Sequence, residues 1–288
     1  MGERSSPVYL RWVLGEWLSE IREASGLTGA EVARQLRWAP SKVSRIENHE
    51  GVSPGDVREL LDVYGITNPD DVRPLVEMAR QAHERGWWQG YGDVLPSWFA
   101  TFVGMEAGAS QERDYRGGLV TGLLQTPDYA RAVLADDPRA RSVPGELERL
   151  IALRLERQQL LHHSADPLRL WAVMDESVLR RAVGSPAVMR RQLAHLAELA
   201  DAPNITIQVL TEDLVHAALD FPFCLLLFPD RERVPGLVYV ENLRRTWYLE
   251  DADDLAFYTA VFDGLTRAAL DADQSRAALL RQLKAIGE

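Results

Sequence analysis

The segment from residue 28 to residue 47, TGAEVARQLRWAPSKVSRIE, constrains the fold more than any other part of the chain. Thr28 and Glu31 have the spacing of a capping box, in which each side chain satisfies a backbone donor at a helix start. Apolar residues then recur at helical spacing up to Leu36, and Pro40 suits the first position of a second helix. The segment therefore predicts a helix over residues 29–36, a turn over residues 37–39 and a second helix over residues 40–48.

The second of these helices has an exposed side that suits a nucleic-acid groove. Val43 and Ile46 make its apolar stripe, and the other positions carry mostly small or basic side chains. Residues 32–46 include four basic residues and no acidic one, within a chain whose formal net charge is −11. Such a local basic stripe can hold phosphates, while the remaining negative surface discourages non-specific adhesion to DNA. We expect this helix to enter a DNA groove with salt-sensitive affinity; an ordinary helical hairpin is the alternative.

The stretch ASGLTGAEVARQLRWAPSKVSRIEN resembles the helix-turn-helix of the Xre, or lambda-repressor-like, family of DNA-binding regulators, and the similarity covers residues 10–65. The resemblance implies a bundle of five helices. The chain supplies candidates for all of them: residues 9–25, 29–36, 40–48, 54–64 and 69–85. It also implies a structural ion pair between the first helix and the end of the recognition helix, here Arg22 and Glu47.

The same resemblance implies which side chains contact DNA. The positions that would face base edges are Pro40, Ser41, Ser44 and Arg45, and those that would lie near phosphates are Arg34, Arg37, Lys42 and His49. We expect Arg45 to read a guanine through a bidentate contact. His49 has a simpler alternative, because a lone histidine after a helix is often only solvent-facing.

Two positions depart from the family pattern. Gly29 stands where a glutamine often opens the second helix, and Ala39 stands where a serine or threonine usually caps the recognition helix. We therefore expect a recognition helix without a side-chain cap, and an affinity or target that differs from those of typical members.

The length of 288 residues exceeds that of one DNA-binding bundle, so a further domain must follow. We predict a boundary within the aromatic and glycine-rich stretch ERGWWQGYG, with a first domain over residues 1–86 and a second over residues 87–288. The longest apolar run is too short to cross a bilayer, and charged residues occupy the N-terminal region where a signal peptide would be hydrophobic. We expect a cytoplasmic protein without a membrane partner. Its one cysteine, Cys224, excludes an internal disulfide.

The second domain is predicted to be α+β, with a mixed sheet of four to six strands covered by helices, so that the whole chain is multidomain with an all-α bundle first. The predicted strands are residues 168–174, 205–210, 223–228, 237–241 and 246–249. The predicted helices cover residues 95–106, begin again at residue 126, and then run over residues 144–163, 251–270 and 274–286.

This second region also has a relative. The segments VGMEAGASQERDYRGGLVTGLLQTPDYARAVL, MDESVLRRAVG, NITIQVL and LVYVENL resemble the C-terminal domain of actinobacterial regulators of the WhiJ type, and the similarity extends over residues 87–288. The resemblance implies a small protein partner encoded nearby, in an arrangement likened to toxin and antitoxin. We expect a regulator that binds a pseudo-palindromic operator in double-stranded DNA as a homodimer.

Enzymatic motifs are missing from the second region of the sequence. Its histidines lack metal-ligand spacing, and no glycine-rich phosphate loop occurs. We interpret Asp175 with Glu176 as charges that cap a helix start and compensate its dipole, and Asp251, Asp253 and Asp254 likewise as charges at a helix start. We predict no enzyme activity, no metal and no cofactor.

Two roles for the second domain remain open at this point. It is either a protein-interaction module, which the resemblance favours, or a small-molecule sensor with a candidate pocket formed by Trp247, Tyr248, Glu241 and Asn242. Residues 122–126 are a second candidate rim. A flat apolar patch would favour the first role and an enclosed aromatic pocket the second. A catalytic domain is the third and weakest hypothesis.

Overall fold

The computed structural model describes residues 6–136, 145–163, 165–219, 221–230, 232–242 and 245–286. The chain divides into two compact units. The described part of the first comprises residues 6–90, 100–108, 230 and 232–235, and the rest belongs to the second. The domain boundary predicted at residues 86 and 87 stays a prediction.

The first unit is all-helical. It contains α1 Pro7–Ala24, α2 Gly29–Leu36, α3 Pro40–Glu47, α4 Pro54–Val63 and α5 Pro69–Ala82. Four of these helices start with proline in the first turn, where its missing N–H is harmless. Their apolar stripes meet in one core, which includes the fully buried Leu14, Leu18, Val32, Val57 and Leu61. The five predicted helices are present, and the all-α class of this unit is confirmed.

Two later segments complete the first unit. The end of α6, which spans Ser97–Gly108, lies against α1, where the Ser6 hydroxyl donates to the Gly104 carbonyl. From the connection that follows residue 229, Arg233 places its Nε 3.1 Å from Glu20 Oε2 and its guanidinium 4.4 Å from the centre of the Trp17 ring. The first helix is therefore held by residues remote in sequence as well as by its neighbours in the bundle.

The second unit is α+β, as predicted. Its strands are β1 Gln111–Arg116, β2 Arg169–Asp175, β3 Ile205–Leu210, β4 Phe223–Leu227, β5 Leu237–Glu241 and β6 Thr246–Leu249. Its further helices are α7 Pro127–Leu134, α8 Glu146–Gln158, α9 Glu176–Arg180, α10 Pro186–Leu199, α11 Ala252–Ala268 and α12 Ala272–Ala285. Short 3-10 turns cover residues 122–124 and 159–162.

The six strands form one mixed sheet in the order β3-β2-β1-β4-β5-β6. Strands β1, β2 and β3 are parallel, with helical crossovers between them, and β4, β5 and β6 continue as an antiparallel meander. Helix α11 covers one face, where Phe262 and Leu265 join Tyr115, Phe223 and Val238 in a buried core. The predicted mixed sheet covered by helices is confirmed.

Strand β1 and helix α10 lie outside the predicted elements. The sequence of β1, QERDYR, gives no apolar alternation, yet β1 is central and Glu112 and Asp114 are 2% and 0% exposed. The charge on Asp114 is met by Arg116, whose Nε lies 2.8 Å from Asp114 Oδ1. The helix predicted over residues 144–163 is α8 followed by a 3-10 turn, and Pro144 lies outside the described residues.

Candidate nucleic-acid interface

The connection between α2 and α3 is built by local chemistry. Thr28 accepts a hydrogen bond from the Glu31 backbone N–H at 3.3 Å, and Glu31 Oε2 accepts one from the Thr28 N–H at 2.9 Å. The capping box is therefore present at the start of α2. Arg37 ends this helix in the left-handed conformation with φ +56°. Ala39 precedes Pro40 and supplies no side-chain cap, so α3 begins without one.

Helix α3 divides into a buried and an exposed side. Val43 and Ile46 are 1% and 4% exposed and pack into the core of the first unit. The four residues predicted to face base edges, Pro40, Ser41, Ser44 and Arg45, are all exposed. Ser41, Ser44 and Arg45 have the i, i+3 and i+4 spacing that places side chains on one helix face. Small hydroxyls beside one long guanidinium are suited to hydrogen bonding with base edges.

Three arginines are available around this helix. Arg34 and Arg37 are exposed on α2 and the turn. The Arg45 side chain is 59% exposed, and its Nε lies 3.8 Å from Glu50 Oε2, a long contact between two exposed groups. Such pairs contribute little stability, so phosphate or guanine can compete for the guanidinium. Phosphate contacts by Arg34 and Arg37 stay a prediction.

Lys42 is held within the protein. Its Nζ lies 2.6 Å from Asp56 Oδ1 and 3.6 Å from the centre of the Trp38 ring. Burial tends to raise the pKa of Asp56, but hydrogen bonds from Lys42 and Ser53 outweigh it and lower that pKa below its ordinary value. Lys42 therefore ties α3 to the start of α4, and a phosphate contact by Lys42 would share its ammonium with Asp56.

The variant Asp56→Asn tests this contact between Lys42 and Asp56 through the pH dependence of the free energy of unfolding. Because the folded state lowers the pKa of Asp56, ionised Asp56 stabilises the fold fully above its unfolded pKa of about 3.9, and this contribution disappears as pH falls through the folded pKa. We expect wild type to exceed Asp56→Asn by about 1 kcal/mol in free energy of unfolding near neutral pH. Urea unfolding at pH 7 and in steps down to pH 3 measures the difference, and a gap that widens on acidification would contradict this account.

His49 packs against α1. It has φ +64°, and its Nε2 lies 2.9 Å from Glu16 Oε1 while its ring packs 5.3 Å from that of Trp12. The side chain is only 23% exposed. Both alternatives given by the sequence place this ring at the surface, whereas the structure uses it to join the end of α3 to α1. A phosphate contact by His49 would require the ring to leave Glu16.

Gly15 permits this close approach of α1 and α3. A Cβ atom at position 15 would lie 2.7 Å from His49 Cδ2 and 3.0 Å from the Ile46 carbonyl oxygen. We expect Gly15→Ala to lower the free energy of unfolding by about 1–2 kcal/mol, because the backbone of α3 must move away. Thermal unfolding measures the loss. Gly55→Ala is the matched control, since its Cβ would meet Ser53 Oγ at an ordinary 3.7 Å. Equal effects of the two variants would contradict the assignment.

Arg22 and Glu47 form a close pair at the other side of the same junction. Arg22 Nε lies 2.7 Å from Glu47 Oε1 and Nη2 lies 3.2 Å from Oε2, so the contact is bidentate. Arg22 Nη1 also donates to the Leu27 carbonyl at 3.0 Å. The hydrogen bond to Glu47 raises the pKa of Arg22 despite partial burial. This arrangement fixes the C-terminal end of α3 against α1.

The candidate pocket residues of the second unit separate into two groups. Glu241, Asn242 and Trp247 line an open cavity of about 460 Å³, together with the two residues that precede β4 and with residues of β5, β6 and α11. Tyr248 does not line it, which corrects the expectation from sequence. Adjacent strand residues point to opposite faces, and the Tyr248 hydroxyl donates to the Trp98 carbonyl on the other side. The second candidate rim is structural, because Gln158 Nε2 bonds the carbonyls of Gly122 and Gln125.

The structure also groups side chains that sequence reasoning missed. Tyr115 donates to Asp175 at 3.2 Å, and His216 Nε2 lies 3.4 Å from Asp175, at the carboxyl ends of β1 and β2. Asp175 occupies the N-cap position of α9 but makes no side-chain capping bond, so the capping part of its interpretation is wrong, whereas Glu176 lies in the first turn, where it compensates the helix dipole. Asp251 likewise makes no side-chain cap. Among the described residues, no group of three or more potential ligands could hold a metal ion.

The geometry of α2, its turn and α3 defines the class of the first unit, a helix-turn-helix DNA-binding module. Residues 13–75 match the family model described as a helix-turn-helix domain. Residues 99–281, more than half of the chain, match the model described as a domain of unknown function (DUF5753), and the chain belongs to that family. No curated protein and no solved structure matches the chain.

These matches support a DNA-binding regulator with a second, α+β unit. None of the helices in the described ranges combines the length and apolar character that crossing a membrane requires.

Proposed function

We propose that this chain is an Xre-type transcriptional regulator that binds a specific operator as a homodimer. The observation that carries the proposal is the exposed set Ser41, Ser44 and Arg45 on a helix whose other side is fixed in the core. A rigid helix with small hydroxyls and one exposed guanidinium, held only by a long contact to Glu50, can place its start among base edges. Pro40 completes the base-edge set, and Arg34, Arg37, Lys42 and His49 remain the proposed phosphate contacts.

Dimer formation is part of the proposal for an energetic reason. One small helical module buries a limited area on DNA, and two copies on adjacent half-sites double the contacts. In helix-turn-helix dimers the half-sites lie about 10–10.5 base pairs apart, one turn of DNA. We therefore propose a pseudo-palindromic operator with this spacing.

For the second unit we propose a small protein partner, as in antitoxin-like regulators of the WhiJ type. The support is the resemblance of residues 87–288 together with exposed aromatic side chains on this unit, Phe221, Trp247 and Phe257. We propose that it has no catalytic role and that the protein acts in the cytoplasm at its operator. The alternative is a small-molecule sensor, which the cavity of about 460 Å³ favours by its size.

Selection from a library of random duplex DNA tests the proposed function. The full-length protein is expected to enrich a pseudo-palindromic motif, and binding to that motif is expected to weaken steeply as salt concentration rises. Sedimentation with the selected duplex then counts the protein copies per site. Enrichment of a single half-site by a monomer would contradict the proposed homodimer. Failure to enrich any sequence would contradict the proposal of specific DNA binding.

A further inference from the structure

The cavity beside Trp247 is an open groove between the β5–β6 hairpin and α11, which we call the hairpin groove. Its walls are mostly apolar: Phe221, Pro222, Val240, Trp247, Leu249 and Tyr258. Tyr258 is anchored by Phe223, whose ring centre lies 5.0 Å away, and Val240 pairs with Trp247 across the two strands. The walls are therefore held by the sheet and the core beneath it, so the groove exists before any partner arrives.

Three large aromatic side chains remain in solvent at this groove: two of them line it, and the third, Phe257, lies next to the lining residue Tyr258. Phe221 is 66% exposed, Trp247 is 44% exposed, and Phe257, whose ring contacts that of Tyr258, is 62% exposed. Apolar surface left in water is unfavourable, and exposed apolar patches commonly mark interaction sites. Aromatic residues of this size also dominate the energetics of protein interfaces.

Negative charge borders the groove at the start of α11. Asp251 follows shortly after Leu249, and Asp253 and Asp254 precede Phe257 and Tyr258 by one helical turn. Among the residues that the structure describes, none of these three carboxylates has an ion-pair partner. The sequence of the neighbouring hairpin has two arginines, of which the described one, Arg245, is exposed, and the groove wall adds a fourth carboxylate, that of Glu241. The border therefore carries a net negative charge around an apolar floor.

The apolar walls and the negative border of the hairpin groove together favour one class of ligand over the others. DNA and anionic membrane surfaces are repelled by the carboxylates, and a second copy docked through the same patch would bring two sets of carboxylates together. A peptide segment with apolar side chains on one face and lysine or arginine beside them complements both the floor and the border.

We infer that the hairpin groove is the docking site for an amphipathic, basic segment of a partner protein. This inference deepens the proposed partner role of the second unit. Apolar side chains of the segment fill the space between Trp247 and Tyr258, and its cations lie against Asp253 and Asp254. Electrostatic attraction speeds the encounter, and aromatic burial supplies most of the affinity.

The test uses three labelled synthetic peptides of about 14 residues, long enough for almost four helical turns. The first has leucine on one helix face and lysine on the other, the second replaces lysine with glutamate, and the third scrambles the first. Fluorescence anisotropy with the full-length protein, in the absence of DNA, measures each affinity. We expect the leucine–lysine peptide to bind best, by at least about tenfold over the other two.

Variants of the protein locate the binding. Trp247→Ser and Phe257→Ser each remove one exposed aromatic side chain, the first from β6 and the second from α11. If one variant fails to fold, the other still tests the inference. Each is expected to weaken the leucine–lysine peptide by about tenfold or more, and Asp253→Asn with Asp254→Asn by a smaller, salt-dependent factor. Val215→Ser is the control, because Val215 is 91% exposed, does not line the groove and lies outside both the β5–β6 hairpin and α11.

Several results would overturn the inference. One is equal binding of the lysine and glutamate peptides, and another is binding that Trp247→Ser and Phe257→Ser leave intact. A third is a wild-type dimer that Trp247→Ser dissociates in sedimentation, which would assign the groove to a second copy. Selection of DNA by the wild type separates this inference from the proposed function, since enrichment of an operator by a protein that binds none of the three peptides would remove the docking site and leave the regulator.

Discussion

Replacing Arg45 with alanine is expected to weaken binding to the selected operator by about 1–3 kcal/mol, a factor of roughly 5 to 150, and to relax the base preference at one position of each half-site. The guanidinium is exposed on a helix whose backbone is fixed by Val43, Ile46 and the pair of Arg22 with Glu47. Its long contact with Glu50 costs little to break. Titration of operator and random duplex with wild type and variant measures both effects.

Two other substitutions separate base reading from general attraction to DNA. Lys42→Ala is expected to weaken all sequences alike, with a salt slope smaller by about one. Arg73→Ala is the neutral control, because Arg73 is 77% exposed on α5 and pairs with the equally exposed Asp70. If Arg45→Ala reduced binding to operator and random DNA by the same factor, Arg45 would be a phosphate contact and the assignment of base readout would be wrong.

Replacing Arg22 with alanine is expected to lower the stability of the helix-turn-helix by about 3 kcal/mol. The Arg22 and Glu47 side chains are only 15% and 18% exposed, so the variant leaves a carboxylate without its bidentate partner in a mostly dry place. Hydrogen exchange followed on peptides from α1, α2 and α3 measures the effect in the unit concerned. Protection there is expected to fall by roughly a hundredfold, while peptides from the sheet keep theirs.

A double variant distinguishes the physical causes. Arg22→Met with Glu47→Leu removes both charges and fills similar volumes, so it is expected to recover much of the lost stability. Arg73→Ala, which breaks an exposed pair, is expected to change protection by less than about twofold. If the double variant were no better than Arg22→Ala, an unpaired carboxylate would not be the cause of the loss.

The helix-turn-helix could be predicted because its determinants are local. The capping box of Thr28 and Glu31, the turn after Leu36 and the proline at position 40 all act within a few residues of chain. The orientation of His49 could not be predicted in the same way. It depends on a positive φ and on space left by Gly15, which is remote in sequence.

Strand β1 shows the opposite case, in which distant pairing overrides local pattern. Its neighbours in the sheet begin at Arg169 and Phe223, and its buried Asp114 is tolerated because Arg116 lies against it. Because the sequence of β1 lacks apolar alternation, a search for that pattern does not predict this strand. The prediction that Tyr248 lines the candidate pocket was wrong for a simpler reason. Side chains alternate along a strand, so Trp247 and Tyr248 had to point to opposite faces of the sheet.

The central claim is that α3 reads bases in the major groove, and methylation interference tests it most directly. Methylation of guanine N7 blocks the major-groove acceptor that an arginine would use. With wild type, methylation of one guanine in each half-site is expected to abolish binding, and with Arg45→Ala that interference is expected to disappear while the rest of the pattern remains. An identical interference pattern for the two proteins would contradict the account.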